Sequence, residues 1–211
     1  SNILLTSQYR LRVLSYALMT ISDAFPVLVN RLSRVAHAMQ FSHGLNPAQW
    51  EALRYLNKAN RYSASPSAMA DYLGATKGTV SQTLIALESK GLIRRDRCSN
   101  DRRAIVLALT DGGREMLVQD PLCQIYAATE KIPEAERQQL AGVIKSILDD
   151  LCVKHNNSQF GVCGDCCHLG EGSCAGSGTC GVTGDPLEAS DIELICIDFS
   201  PCSGDKLPSL K

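Results

Sequence analysis

The chain has 211 residues, 45% of them hydrophobic and 5% aromatic, with 21 Lys+Arg against 22 Asp+Glu. That apolar share supports a core of aliphatic helix contacts, no apolar run approaches the ~20 residues of a membrane span, and the first residues lack the marks of a secretory leader. The expected compartment is the cytoplasm.

The net charge of −1 at pH 7 hides an asymmetry. Residues 1–154 hold 19 Lys+Arg and 14 Asp+Glu, whereas residues 155–211 hold 2 and 8. Three cysteines precede residue 155 and seven follow it. Two compositions on one chain point to two modules.

Leu11, Leu14, Leu18, Ile21, Phe25, Leu28, Leu32, Val35 and Met39 recur at alternating spacings of three and four, a heptad seam suited to a dimer helix. Pro26 predicts a kink or break in it. In "LNPAQWEALRYL", Asn46 is a cap, Pro47 suits the first helical position, and Trp50, Leu53 and Leu56 share a face. "SPSAMADYLG" is a short helix opened by Ser65–Pro66 and stopped by Gly74. "ATKGTVSQTLIALESKG" follows, with Thr76 as cap, Val80, Leu84 and Leu87 inward and Gly91 closing it. Two short helices joined by a glycine turn make a helix-turn-helix candidate.

"LIRRDRCSNDRRAIVLALT" then reads as a β-hairpin, its first strand around Ile93, its tip at Ser99-Asn100-Asp101 and its second strand from Ala104 to Leu109. Thr110 caps a helix expected to end before Pro133. A last helix has Leu140, Val143, Ile144, Ile147 and Leu151 on one face. "KHNNSQ" reads as a linker, and beyond it only "IELICIDF" suggests regular structure, as a strand.

A hairpin directly after the second helix of a helix-turn-helix is the winged arrangement, with that second helix in the major groove. The expected reading face is Thr76, Lys77, Thr79, Ser81, Gln82 and Thr83. Six basic and two acidic residues lie between Lys90 and Arg103, a charge suited to phosphate and minor-groove contact, with Arg95, Arg102 and Arg103 as the candidate contacts.

"LGATKGTVSQTLIALESKGLIRR" followed by "SNDRRAIVLALTDGG" resembles the MarR (multiple antibiotic resistance regulator) family of winged-helix repressors over Leu45 to Gly113. The family's wing pattern Asp-x-Arg matches Asp101 and Arg103, with Asp101 in the wing's structural position. Its Leu-Thr-x-x-Gly matches Leu109, Thr110 and Gly113. Asp96 and Arg97 depart from the pattern, standing where an arginine–proline pair is common. The resemblance implies a homodimer, formed by N- and C-terminal helices, whose two wings grip a palindromic DNA operator. Some family members use thiol switches, for which Cys98, Cys123 and Cys152 are available.

The cysteine-rich tail is not required by that fold. Cytosolic thiols stay reduced, so a disulfide framework is disfavoured and metal ligation is the natural use of seven cysteines in a glycine-rich segment. Cys163, Cys166, Cys180 and Cys196 give C-x2-C-x13-C-x15-C, able to hold one iron–sulfur cluster (4Fe–4S or 2Fe–2S) or one zinc. The pattern resembles small cysteine-rich iron–sulfur modules of the form C-x2-C…C…P…C-x-x-F, here closing with "CIDF". Cys167, Cys174 and Cys202 are reserves, and His168 is a substitute ligand.

The expected class is therefore mainly α with a small β-wing: dimerisation helices at 1–44, a winged helix-turn-helix domain at 45–113, further dimerisation helices at 114–154 and an irregular metal-bound module at 155–211. The expected function is a DNA-binding repressor whose tail senses redox state, oxygen or iron. Ordering of the tail would bias the spacing of the two winged domains. The alternatives are a structural zinc tail with a small-molecule inducer, a thiol-oxidation switch, and a protein-docking scaffold. No nucleophile–base pair or phosphate loop suggests an enzyme.

Overall fold

The structure, a computed structural model, describes residues 21–97, 105–154, 160–171 and 177–202. Leu11, Leu14, Leu18, Cys98, the hairpin tip with Asp101, Arg102 and Arg103, the 155–159 part of the linker, and Cys174 lie outside the described residues.

The first described helix, α1 (Ile21–Met39), runs as one element through Pro26, where a kink or a break was expected; there is no break. Next come α2 (Pro47–Lys58), α3 (Pro66–Leu73) and α4 (Lys77–Ser89). Each has the start its sequence promised. Asn46 accepts from the Gln49 amide in a capping box, Ser65 accepts from Ala68 N, and Thr76 accepts from Thr79 N. Gly74 ends α3 in the left-handed conformation (φ 59°), which a glycine adopts without the Cβ penalty, and this sets the turn between α3 and α4.

Strands β1 (Ile93–Arg97) and β2 (Ile105–Leu109) pair antiparallel, with Ile93 opposite Leu109. The hairpin folds back onto the helices: Leu107 N donates to Ala64 O at 2.8 Å, tying β2 to the α2–α3 turn. Trp50, Leu53, Tyr55, Met69, Val80, Leu84, Leu87, Ile93, Leu107 and Leu109 close one core beneath the three helices and the hairpin.

Thr110 caps α5 (Asp111–Val118): its hydroxyl accepts from Gly113 N and donates to Gly91 O. Gly113 is required there, because a Cβ would lie 2.1 Å from Leu92 O. The single helix expected after Thr110 is instead two, α5 and α6 (Cys123–Thr129). Pro121 is the reason, since a proline lacks the N–H to continue the ladder. Asp120, just before it, accepts from Leu122 N and from two nitrogens of Arg54.

The long helix α7 (Glu134–Lys154) carries Leu140, Val143, Ile144, Ile147 and Leu151 as expected, and all five are exposed in the single chain. So are Val27, Leu28, Leu32 and Val35 on α1. No helix among the described residues is long and apolar enough to cross a membrane.

The tail has more order than its composition suggested. Strand β3 (Gly161–Val162) pairs with β7 (Ile195–Cys196), and β4 (Leu169–Glu171), β5 (Gly178–Cys180) and β6 (Pro186–Leu187) form a second small sheet. A one-turn helix α8 (Ala189–Ile192) precedes β7, so "IELICIDF" is a strand only at Ile195–Cys196.

Gly113→Ala should destabilise the chain by about 2 kcal/mol through the Leu92 carbonyl clash, read as a lower urea midpoint. Asp120→Ala should cost a similar ~2 kcal/mol, because it strands the largely buried Arg54 guanidinium, and it should lower the same midpoint.

Candidate nucleic-acid interface and cysteine pocket

The N-terminal half of α4 faces solvent. Thr76, Lys77, Thr79 and Gln82 are exposed, and Ser81 and Thr83 are partly so. Val80, Leu84 and Leu87 hold the opposite face in the core, so the helix is anchored by one side and free on the other. Thr76 Oγ1 lies 2.8 Å from Thr79 Oγ1, and Thr83 Oγ1 donates to Thr79 O, which leaves Lys77 and Gln82 as the long side chains of this surface.

Three of the basic residues counted between Lys90 and Arg103 have partners in the fold. Lys90 Nζ donates to Gly44 O and Gln49 Oε1 and holds the start of α2. Arg94 pairs with Asp96 at 3.1 Å. Arg95 Nε is 3.1 Å from Glu88 Oε2, an ion pair without hydrogen-bond alignment. Arg95, expected to touch DNA, is thus engaged with α4. Arg102 and Arg103 fall outside the described residues.

The four cysteines singled out by spacing line one small pocket of about 20 Å³, together with His168, Leu169, Val182, Leu187 and Asp198. Cys163 opens a short 3-10 turn, Cys166 follows it, Cys180 ends β5, and Cys196 ends β7. Pairing of Gly161 with Cys196 brings the first and last segments together. Gly161 is needed at that point, because a Cβ there would lie 2.5 Å from the Phe199 ring. Of the reserve cysteines, Cys167 and Cys202 are exposed. Among the described residues no three Cys, His, Asp or Glu side chains converge on a single ion-sized point; the thiols surround a space.

The electrostatics of the pocket are divided. Burial pushes the Cys163 thiol up; a hydrogen bond from Asn60 opposes this, while the neighbouring Cys196 and Cys166 add to it. For Cys180, burial also acts upward, but the amides of Thr183 and Val182 and the Thr183 hydroxyl outweigh it and hold the thiol below its ordinary range. Several thiolates so close repel one another unless a cation lies between them.

The pocket is seated on the winged-helix unit, at the α2–α3 turn, whereas the sequence suggested a tail acting through the dimer helix it follows. Asn60 N donates to Ile195 O at 2.9 Å, Ile197 N donates to Ser63 Oγ at 2.8 Å, and Asn60 Nδ2 approaches Cys163 Sγ at 3.7 Å. Arg61 Nη2 donates to Pro186 O, and the Tyr62 hydroxyl to Asp185, holding that carboxyl below its usual range. Phe160 meets Tyr72 of α3 edge-on at 5.0 Å. Sequence reasoning missed Asn60, Ser63 and Thr183. The "CGVTGDP" turn after Cys180 was legible, and its donors could have been read from the same residues.

The family model described as MarR family matches residues 43–104. The transcriptional repressor MprA of Escherichia coli (strain K12) is 28% identical over 128 residues, which is 58% of this chain and 73% of MprA. A MarR/EmrR family transcriptional regulator from Acinetobacter sp. ADP1 superposes with a TM-score of 0.51 at 24% identity, covering 63% of this chain and 98% of that one. A MepR variant from S. aureus gives 0.50 at 23%, covering 63% and 99%. Each match leaves more than a third of this chain outside it. The similarity to the MarR family thus lies on residues 43–104, the solved structures share the winged-helix fold, and the cysteine-rich tail lies outside the family model.

Proposed function

We propose that this chain is a sequence-specific DNA-binding repressor, working in the cytoplasm as a homodimer on a palindromic operator, and that an iron–sulfur cluster held by Cys163, Cys166, Cys180 and Cys196 controls its operator binding. The DNA part is supported by the matched unit and by the free face of α4. The dimer part is supported by the exposed apolar rows of α1 and α7. The observation that carries the sensing part is the pocket itself: four cysteines from three segments surround one space, and that space rests on the helix-turn-helix scaffold.

An all-thiolate set suits iron–sulfur ligation and also zinc. A cluster would make the tail sensitive to oxidants and to iron supply. Asn60 and the Thr183 turn supply the hydrogen-bond donors that sulfur ligands need around them.

Protein purified without oxygen should absorb in the visible and contain matching iron and acid-labile sulfide. A colourless protein with zinc and no iron would sink the sensing mechanism and leave the pocket structural. On an operator obtained by selection from random duplex DNA, Lys77→Ala should weaken binding and reduce the slope of log affinity against log salt by about 1. Gln82→Ala should cost about 1–3 kcal/mol on the preferred sequence and less on random DNA. Unchanged titrations for both variants would remove α4 from the DNA interface.

A further inference from the structure

We propose that Asn60 couples the cysteine pocket to the helix-turn-helix, one end of its carboxamide holding the Cys163 sulfur and the other end holding the α2–α3 turn. The inference rests on the metal-site reading above and adds to it the route by which ligation reaches the DNA-binding unit.

Asn60 is 3% exposed, and each polar atom of its side chain is used. Its Oδ1 accepts from Tyr62 N at 3.1 Å, Ser63 N at 2.9 Å and Ser63 Oγ at 2.7 Å. Its Nδ2 points to Cys163 Sγ. The carboxamide is planar, so a change in the sulfur's position or charge is passed to the oxygen end as a rotation or shift of the whole group. Ser63 is fully buried and serves two clients: its hydroxyl receives Ile197 N, one residue past Cys196, and its carbonyl receives the Tyr55 hydroxyl of α2. The next residue, Ala64, receives Leu107 N of the wing strand, and Ser65 caps α3. Within six residues the turn therefore touches two of the three segments that bring cysteines to the pocket, the helix before it, the helix after it and the wing.

A sulfur bound to a cation keeps thiolate character and stays fixed, which makes it a better acceptor for Asn60 than a free thiol. Ligation should then tighten the turn, and loss of the ligated group should loosen it. Asn60→Asp isolates the effect. The carboxylate retains the oxygen that caps the turn but replaces the donor with a second acceptor facing the sulfur.

The test is amide hydrogen exchange on the reduced full-length chain, metal-free and after reconstitution with ferric iron, sulfide and excess dithiothreitol, the thiol reducing part of the iron, under nitrogen. In the wild type, reconstitution should slow exchange at the Ser63 and Leu107 amides by roughly fivefold or more, beyond the tail itself. Asn60→Asp should still take up iron and sulfide while losing most of that distant protection. Its reconstituted centre should also show a more negative midpoint potential than the wild type, since a donor to the sulfur is gone. Protection confined to residues 160–202 in the wild type, or equal distant protection in Asn60→Asp, would overturn the coupling while leaving the metal reading intact. A wild-type chain that takes up no iron, seen by the absence of visible colour, would overturn both. If Asn60→Asp does not fold, as judged by circular dichroism, the wild-type exchange pattern alone decides.

Discussion

The constraint on which the rest of this structure depends is that the α2–α3 turn must pair its own backbone while buried under a second module. A buried turn is costly, because unpaired amides lose their water without gaining a partner. Asn60 and Ser63 meet that demand with side-chain atoms: one carboxamide oxygen takes two amides and a hydroxyl, and the hydroxyl takes an amide from the tail. With these bonds made, the turn can be covered. The tail closes over it with Ile195, which packs against the winged-helix core.

The same accounting explains why the tail folds. Its own buried set is small: Cys163, Leu187 and Cys196, with Leu169, Cys180 and Phe199 around them. So few apolar side chains give little hydrophobic stabilisation, and half of them are thiols. Docking on the turn contributes some of the deficit through Ile195 and the Phe160–Tyr72 contact. The pocket thiols differ: burial and the sulfur neighbours hold Cys163 above the ordinary thiol range, and the Thr183 and Val182 donors hold Cys180 below it. Positive charge placed among them would reconcile the two, stabilising thiolate at both positions and adding ligation energy where packing is thin.

What was legible in the sequence follows from how local each signal is. Caps at Asn46, Ser65, Thr76 and Thr110, the glycine turn at Gly74 and the strand pairing around Ile93 are written in residues that act within one turn of themselves, and all stand in the structure. The break between α5 and α6 is equally local, signalled by Pro121, although apolar periodicity on either side of it runs on as if for one helix. That Cys163, Cys166, Cys180 and Cys196 would lie together was readable from their spacing, and they line one pocket. The seat of the tail was not, since Asn60 and Cys163 are 103 positions apart and nothing in either stretch names the other. The partners of the basic residues were not legible for a related reason: Lys90 bonds to Gly44 and Gln49 and Arg95 pairs with Glu88, contacts that the fold makes and the composition does not name.

That seat changes where regulation would act. A tail hung only from α7 could influence DNA binding by moving one winged unit relative to its partner, across the apolar rows of α1 and α7. A tail fixed to the α2–α3 turn acts inside each winged unit, on the element that sets the angle between α2 and α3 and anchors β2. Since α4 is positioned by α3 through the Gly74 turn and by the core beneath it, a change at Asn60 would reach α4 through packed contacts and not through a linker. The two modes make different demands on the dimer. Regulation through spacing needs both protomers to respond together, whereas regulation through the turn lets each half-site be weakened by its own tail.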